Sequence, residues 1–574
     1  MPEYLAPGVF VEEVSFRSKS IEGVSTSTTA FVGPTRRGPS GPTETPELLT
    51  SFADFERIYG GIDDLAFATG PKINYIAHAA MAYFNEGGAR LYVARVADGV
   101  SAATKDLVPG KTSKFAARFA GETGNGKITV LLNRTPISVE AAKRVIDGSL
   151  IRIQKNPAEF ALKRDGEWKD TADLTKAKDL AVVTEKMELI TASVTAADKD
   201  GQAATYDALG LDSAHKRFIG TVLHKDGNGR ADHVNRLFRF DVADSVTAVE
   251  LANVFKPVNE GKDNETPAAF VVGDKDGTAG TDAVPGEQLW REALNVIAGI
   301  DDVSIVAAPG HIDQTIGDKI RLALIQHAEK ARSYRIAVLD APKAQTPTQA
   351  RDYKANIDSK YAALYYPWVI APNPLFNPND PREDAELTLP PSGFLCGIYA
   401  RSDTERGVFK APANEVIRGA LRFERLITTG EQELLNPLGV NCLRYFAGRG
   451  HRVWGARTTS SDPEWKYVNI RRYFNYLEHS IDKGTQWAVF EPNGERLWAN
   501  IRDTITSFLY NEWVNGALLG DKPEQTYFVK CDRSTMTQND LDNGRLICLI
   551  GVAAIKPAEF VIFRIGQKTA DARS

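Results

Sequence analysis

The segment GETGNGKI, Gly121 to Ile128, carries the glycine and lysine spacing of a phosphate-binding loop. A working loop places Ser or Thr after the lysine to hold magnesium, and it leads from a strand into a helix. Here Ile128 follows Lys127 and the β-prone run ITVLLN comes next, so the stretch reads as a Gly/Asn turn between two strands. The histidines are His78, His215, His224, His233, His311, His327, His451 and His479. With no HExxH and no two histidines at i,i+4, a zinc site is unsupported. His311, just after VSIVAAPG, is the best placed for catalysis, because α/β sites gather beyond strand C-termini. No GxSxG elbow stands near the core strands, so an α/β hydrolase would lack its nucleophile. Cys396, Cys442, Cys531 and Cys548 form no CxxC pair and read as buried structural thiols of a chain made in a reducing cytoplasm. The acids and arginines of DTERGVF, Asp403–Phe409, read as surface ion pairs. Arg471–Arg472 and Arg449–His451–Arg452 are small basic clusters without a stacking platform for bases. They suit a solvated face or an acidic protein partner. No catalytic, cofactor-binding or metal-binding residue is assigned.

The totals narrow the classes further. At 574 residues the chain needs about two to four domains. Lys plus Arg number 69 against 74 Asp plus Glu, a formal charge of -5, which lacks the basic excess of a nucleic-acid protein. The opening MPEYLAPGVFVEE has no apolar h-region, so no secretory signal is expected. The longest apolar run, LICLIGVAAI from Leu546 to Ile555, falls well short of the ~20 residues of a membrane-spanning helix, so no membrane anchor is expected.

Several elements can be read from periodicity. GVFVEEVSF (Gly8–Phe16) is β-prone, and AFVG ends a short strand at Gly33. From Pro71, Ile73, Ile76, Ala80 and Phe84 share a helical face that stops at Gly87–Gly88, and ARLYVARV reads as a buried strand. Between roughly Ser101 and Gly280, short β-like runs such as ITVLLN and LIRIQ alternate with polar turns such as KDGNGR (Lys225–Arg230), which predicts a β-rich insertion. From Gln288 the strands VSIVAAP, RIAVLDAP and YAALYYPWVIAP alternate with helices, one with Ile316, Ile320, Leu324 and Ala328 on a face. That alternation predicts a parallel sheet covered on both faces. Two further helices carry the stripes Ile470, Phe474, Leu477, Ile481 and Leu497, Ile501, Ile505, Phe508, Leu509. YFVKCD, LICLIGVAAI and EFVIFRI (Glu559–Ile565) read as closing strands of an α+β domain.

Long segments resemble the contractile tail sheath family. They are PGVFVEEVSFRSKSIEGVSTSTTAFVGP (Pro7–Pro34), PPSGFLCGIYARSDTERGVFKAPAN (Pro390–Asn414), LNPLGVNCLR (Leu435–Arg444), VWGARTTSSDPEWKYVNIRRYFNYLEHSI (Val453–Ile481) and KPAEFVIFRI (Lys556–Ile565). ARFAGETGNGKITV also resembles a hairpin that recurs in that family, whereas the region from about Thr135 to Gly280 has no match. The resemblance implies a multidomain α/β and α+β chain whose core is subtilisin-like but lacks catalytic residues, so no enzyme is expected. The division expected is an N-terminal linking arm (1–25), a first part of the core (26–100), a β-rich and exterior inserted domain (101–280), a second part of the core (281–457), a C-terminal α+β domain facing an inner tube (458–555), and a C-terminal linking strand and tail (556–574).

The resemblance further implies a structural subunit that stacks with itself as hexameric rings in a helical lattice around an inner tail tube protein, and that contracts. Baseplate and tail terminator proteins are the other partners implied, with no nucleic acid and no cofactor. The particle would be a virion tail or injection-system particle assembled in the bacterial host cytoplasm. Its arms would complete a β-sheet shared with neighbours, with Val9, Phe10, Val11, Val14, Phe560, Ile562 and Ile565 as the apolar contacts. Phe10 and Val14 compete with Val9 and Val11 for the inward face, and both registers stay open. Arg471 and Arg472, or the helix from Leu497, are expected to face the tube. The competing readings are an α/β hydrolase and a surface- or carbohydrate-binding protein acting through the β-rich insertion.

Overall fold

The computed structural model describes residues 20–41, 45–67, 70–155, 157–224, 236–260, 264–313, 315–379 and 384–563. A seven-stranded sheet forms the centre. Its order is Gly450–Val453, Val440–Phe446, Ala362–Tyr366, Ile336–Asp340, Ile305–Ala307, Thr29–Gly33 and Leu91–Arg95. Every pairing is parallel except that of the two strands ending at Phe446 and Val453, which form a hairpin. Alternate side chains feed two apolar cores. Phe31, Ile336 and Val338 enter one, while Ala30, Val32, Ala337 and Leu339 enter the other. This period of two, apolar on both faces, is what a doubly covered sheet requires.

Helices Glu287–Ala298 and Gly317–Glu329 cover the second face with Trp290, Leu294, Ile297, Ile320, Leu324 and Ala328. Tyr75–Asn85 and Pro391–Arg406 cover the first. They pack backbone to backbone, because a Cβ at Gly393 would lie 2.7 Å from Ala79 and one at Gly397 would lie 2.5 Å from the Tyr83 carbonyl. The helix predicted from Pro71 begins at Tyr75, capped by Asn74, whose side chain accepts from the Ala77 N–H. It is buried on nearly every side rather than along one stripe, because sheet and partner helix enclose it.

The chain leaves this sheet after Arg95 and returns before Glu287 through a narrow neck, where Asp98–Ser101 pairs with Thr281–Ala283. Between them lies an eight-stranded antiparallel sheet, centred on Met187–Ala197 against Lys127–Pro136. Ile128, Val130 and Leu132 alternate inward against Ile190, Ala192, Val194 and Ala196, with Thr129, Leu131, Thr191, Ser193 and Thr195 between them. GETGNGKI is a short 3-10 turn, Glu122–Gly124, between the strands Ser113–Ala117 and Lys127–Pro136. KDGNGR lies outside the described residues. Buried ion pairs fasten the insertion to the core: Arg37 with Asp198, and Arg95 with Asp282 at 3.1 Å.

The last part stacks helix Val468–Gly484, helix Glu495–Val514 and a hairpin of Tyr527–Lys530 with Leu549–Val552. All five stripe residues from Leu497 to Leu509 are buried. The Tyr473 and Tyr476 hydroxyls donate to Glu512 at 3.1 and 2.9 Å, tying the two helices together.

Candidate assembly site

Helix Val468–Gly484 has 17 residues, about 25 Å at 1.5 Å per residue, and both ends of the described chain lie along it. The N-terminal stretch runs antiparallel to it. Ile21 sits against Gly484, the Val24 N–H donates to Ser480 Oγ at 3.1 Å, and Gly23 lies against Tyr476. The stretch is locked where it turns into the central sheet. Asp403 accepts from Thr26 Oγ1 at 2.6 Å and from both terminal nitrogens of Arg472 at 2.8 and 2.5 Å, and Arg472 also donates to the Thr26 carbonyl at 3.0 Å. The Asp403 and Arg472 side chains are each 3% exposed. Burial opposes the charge on Arg472, but Asp403 outweighs it and raises the guanidinium pKa.

This geometry corrects three expectations. Arg472 is an internal clamp on the N-terminal stretch, not a surface contact for a tube. Arg471 is buried as well, hydrogen-bonded to Asn475 and Glu478 at 2.8 Å each and stacked between the rings of Tyr361 and Trp465. Helical spacing alone gave these arginines a solvent face, whereas the helix is enclosed by the central sheet's loops on that side. Asp403, read as part of a surface ion pair, is a buried partner of this clamp. No local motif signals it, since Thr26, Asp403 and Arg472 are far apart in sequence.

The C-terminal segment departs near the opposite end of the same helix. Glu559 accepts from Arg457 Nε at 2.8 Å and Nη2 at 2.5 Å, from Asn436 at 2.8 Å and from the Tyr467 hydroxyl at 3.1 Å. Burial pushes its carboxyl pKa up, but the hydrogen bonds from Arg457 and Asn436 outweigh this and leave it lowered. Asn469 adds a hydrogen bond to the Ile555 carbonyl at 3.2 Å. Past this anchor, Phe560, Val561, Ile562 and Phe563 are 73, 68, 79 and 83% exposed. Among the described residues no strand pairs with Glu559–Phe563, and the segment forms none itself. Val9, Phe10, Val11, Val14 and Ile565 lie outside the described residues.

The hairpin is also open. Phe528 and Leu549 on its outer face are 52 and 50% exposed, and among the described residues the sheet holds two strands. Three or more strands, or packing on a helix, are the usual condition for a stable antiparallel sheet. Here the inner face rests on the C-terminal core through Tyr527, Val529 and Val552. Leu518 bridges Ala554 just past the end of the second strand. Beyond that, no third strand covers an edge among the described residues, and an edge of this kind recruits other strands.

At the strand ends of the central sheet, where α/β enzymes place their chemistry, the polar groups are bonded internally. Ser392 donates through Oγ and N–H to Asp340 at 2.7 and 2.8 Å, and both residues are 0% exposed. His311 is buried with Nδ1 2.7 Å from the Ala308 carbonyl, and burial lowers its pKa to about 4. Among the described residues no cluster of three or more His, Cys, Asp or Glu could hold a metal, and no helix is long and apolar enough to cross a membrane. Cys396, Cys442 and Cys531 are buried as expected, but Cys548 is half-buried.

Comparison with known proteins agrees with the fold and reaches the C-terminal segment. Residues 287–459 match the model of the phage tail sheath protein central domain, and residues 460–568 match that of the phage tail sheath C-terminal domain. A prophage major tail sheath protein of Pseudomonas aeruginosa (strain UCBPP-PA14) is 27% identical over 267 residues, 46% of this chain and 64% of that protein. The tail sheath protein of Escherichia phage P2 is 24% identical over 267 residues, 45% of this chain and 63% of its own. The chain thus spans somewhat less than two thirds of these curated relatives. The helical sheath of the anti-feeding prophage in its contracted state shares the fold with a TM-score of 0.55 at 20% identity, over 98% of this chain and 99% of that one. The contracted PVC sheath complex of an extracellular contractile injection system gives 0.53 at 20% identity, over 99% of both chains. Residues 287 to 568, matched in continuity by the two sheath domain models, belong to the phage tail sheath protein family, and the chain shares its fold with sheath chains over nearly its whole length.

Proposed function

We propose that the chain is the structural subunit of a contractile tail sheath. It polymerises as stacked hexameric rings around an inner tube, and contraction of the lattice drives that tube through a target cell envelope. The observation that carries this reading is the unfinished β-structure of the C-terminal region. An anchored apolar segment, Phe560–Phe563, stands exposed, and the two-stranded hairpin has no third strand among the described residues. Extended arms of neighbouring copies would supply the missing strands by β-augmentation.

Magnitudes say what must drive the pairing. About five strand hydrogen bonds at roughly 0.5–1.5 kcal/mol net each are offset by ordering costs of about 1–2 kcal/mol per residue. Burial of side chains such as Phe560 and Ile562, at roughly 1.5–3 kcal/mol each, therefore decides the outcome. Helix Val468–Gly484 fixes where the arms leave, so the domains can turn while the links hold.

The central sheet is read as a subtilisin-like core that has kept its architecture without a catalytic centre; the sealed Ser392–Asp340 pair supports this and disfavours the hydrolase alternative. The inserted sheet is read as an exterior domain, which suits a chain that enters and leaves it side by side through the neck. Helix Glu495–Val514, whose outer face carries the exposed Arg496, replaces the Arg471–Arg472 pair as the surface turned toward the tube. End rings would meet baseplate and tail terminator proteins, in a tail or injection-system particle assembled in the bacterial cytoplasm.

Negative-stain electron microscopy of the full chain and of a variant ending at Glu559 tests the reading. The full chain is expected to form long hollow tubes with a helical lattice, and the shortened one to stay unassembled with unchanged thermal unfolding. Equal polymerisation by both would overturn it.

A further inference from the structure

Two thiols face each other at the mouth of the C-terminal hairpin. Its register runs from Tyr527↔Val552 to Lys530↔Leu549, and one step further sets Cys531 opposite Cys548. The Ala553 N–H donates to the Thr526 carbonyl at 2.8 Å, which marks residues 526 and 553 as a hydrogen-bonded pair. Such pairs alternate along an antiparallel ladder, so Lys530/Leu549 is hydrogen-bonded and Cys531/Cys548 takes a non-hydrogen-bonded position. Opposed Cα atoms there lie about 4.5 Å apart, within the range of about 4.4–6.8 Å that a disulfide spans. The two thiols lie close enough for each to shift the other's pKa. Cys531 is buried and Cys548 half-buried, on the hairpin face that rests on the C-terminal core. Cys396 and Cys442 sit in the two separate cores flanking the central sheet.

We propose that Cys531 and Cys548 form an oxidisable dithiol that closes into a disulfide within the folded hairpin when the protein meets a low-molecular-weight disulfide such as oxidised glutathione. Cys548, the more accessible, loses its proton to solvent, and its thiolate attacks one sulfur of the reagent, forming a mixed disulfide and expelling one glutathione thiolate. Cys531 then loses its proton and attacks Sγ of Cys548, which forms the internal S–S bond and expels the second thiolate. The protein gives up two electrons and two protons, and the reagent takes the electrons to become two thiols. Burial, and then the neighbouring Cys531, push the Cys548 thiol up to about 12. Burial raises Cys531 as well. The thiolate is the attacking species, so closure is slow near neutral pH and speeds up in mild alkali. The pair therefore stays reduced in a thiol-rich compartment and closes gradually outside it. Closure would pin the register of the hairpin and tie off the loop Asp532–Ile547. The chemistry stands independently of how copies assemble.

The test uses the full chain. It is incubated with oxidised glutathione at about pH 8.5, the ordinary thiol pKa, then denatured and treated with a maleimide. Labelling should fall from four thiols to two, and non-reducing peptide mapping should join the Cys531 and Cys548 peptides. The variant Cys548→Ser should lose the cross-link and keep its other thiols available or glutathionylated. Four free thiols after treatment, mixed disulfides without the internal bond, or a cross-link through Cys396 or Cys442 would each overturn the proposal.

Discussion

The central sheet and the C-terminal hairpin use similar short apolar strands, yet one is finished inside the chain and the other is not. In the sheet, the middle strands bury both faces under four helices and give every ladder position a partner. In the hairpin, one face lies on a helix, while Phe528 and Leu549 look outward and, among the described residues, no third strand joins. The anchored segment beyond Glu559 has the complementary deficiency, with apolar side chains and no strand beside it. Completeness of β-structure thus separates the part that makes the subunit from the part that would join subunits. Changes in the first should act on folding, and changes in the second on assembly.

The largest effect should come from breaking the clamp between the two regions. Asp403→Ala leaves the Arg472 guanidinium buried and unpaired, which is expected to cost about 3–5 kcal/mol in chemical denaturation. Replacing both partners by apolar residues, Asp403→Leu with Arg472→Met, should recover much of that loss. A cost for the single variant no larger than that of an exposed ion pair would mean that the clamp does not join the regions. Next in size, Phe560→Asp with Ile562→Asp should leave the monomer within about 0.5 kcal/mol, because both side chains are exposed. Their lost burial, about 3 kcal/mol or more together, should weaken polymerisation by at least about 100-fold in light scattering. A matching loss of monomer stability would erase the contrast.

The sequence makes the first region far more legible than the second. Apolar runs near VSIVAAP, RIAVLDAP and YAALYYP coincide with Ile305–Ala307, Ile336–Asp340 and Ala362–Tyr366, because a strand buried on both faces writes its burial into consecutive residues. The stripe from Leu497 to Leu509 is legible for the same reason. The stripe Ile470, Phe474, Leu477, Ile481 is only half right: Arg471, Arg472 and Asn475 are buried on the other side, satisfied by partners distant in sequence. Periodicity cannot see a buried charge whose partner lies 69 residues away, as Asp403 does from Arg472. Glu559 left a fainter trace, as the acid directly before the apolar run FVIF, but its partners Arg457 and Asn436 are joined to it only by the fold. EFVIFRI has the composition of a strand, but under the proposed function its partner strand would come from another copy, which no local pattern records.

The smallest effect concerns the hold on the C-terminal segment, and pH reads it out. The Glu559 carboxyl has its pKa lowered in the folded chain, so its contribution is present above the ordinary carboxylate value and fades as pH falls through the folded pKa. Glu559→Gln keeps the shape but removes the charge that Arg457 faces, at an expected cost of about 1–3 kcal/mol near neutral pH. Stability of the wild type should therefore fall toward that of the variant as acid is added below about pH 4.5, and the difference between the two curves isolates this one group. Because the anchor fixes where Phe560–Phe563 leave the body, the variant should also assemble less well at neutral pH, by a smaller factor than the Phe560/Ile562 pair. A constant gap between the two stability curves across that acid range would show that Glu559 holds the segment by shape alone, and the charge would then play no part in orienting it.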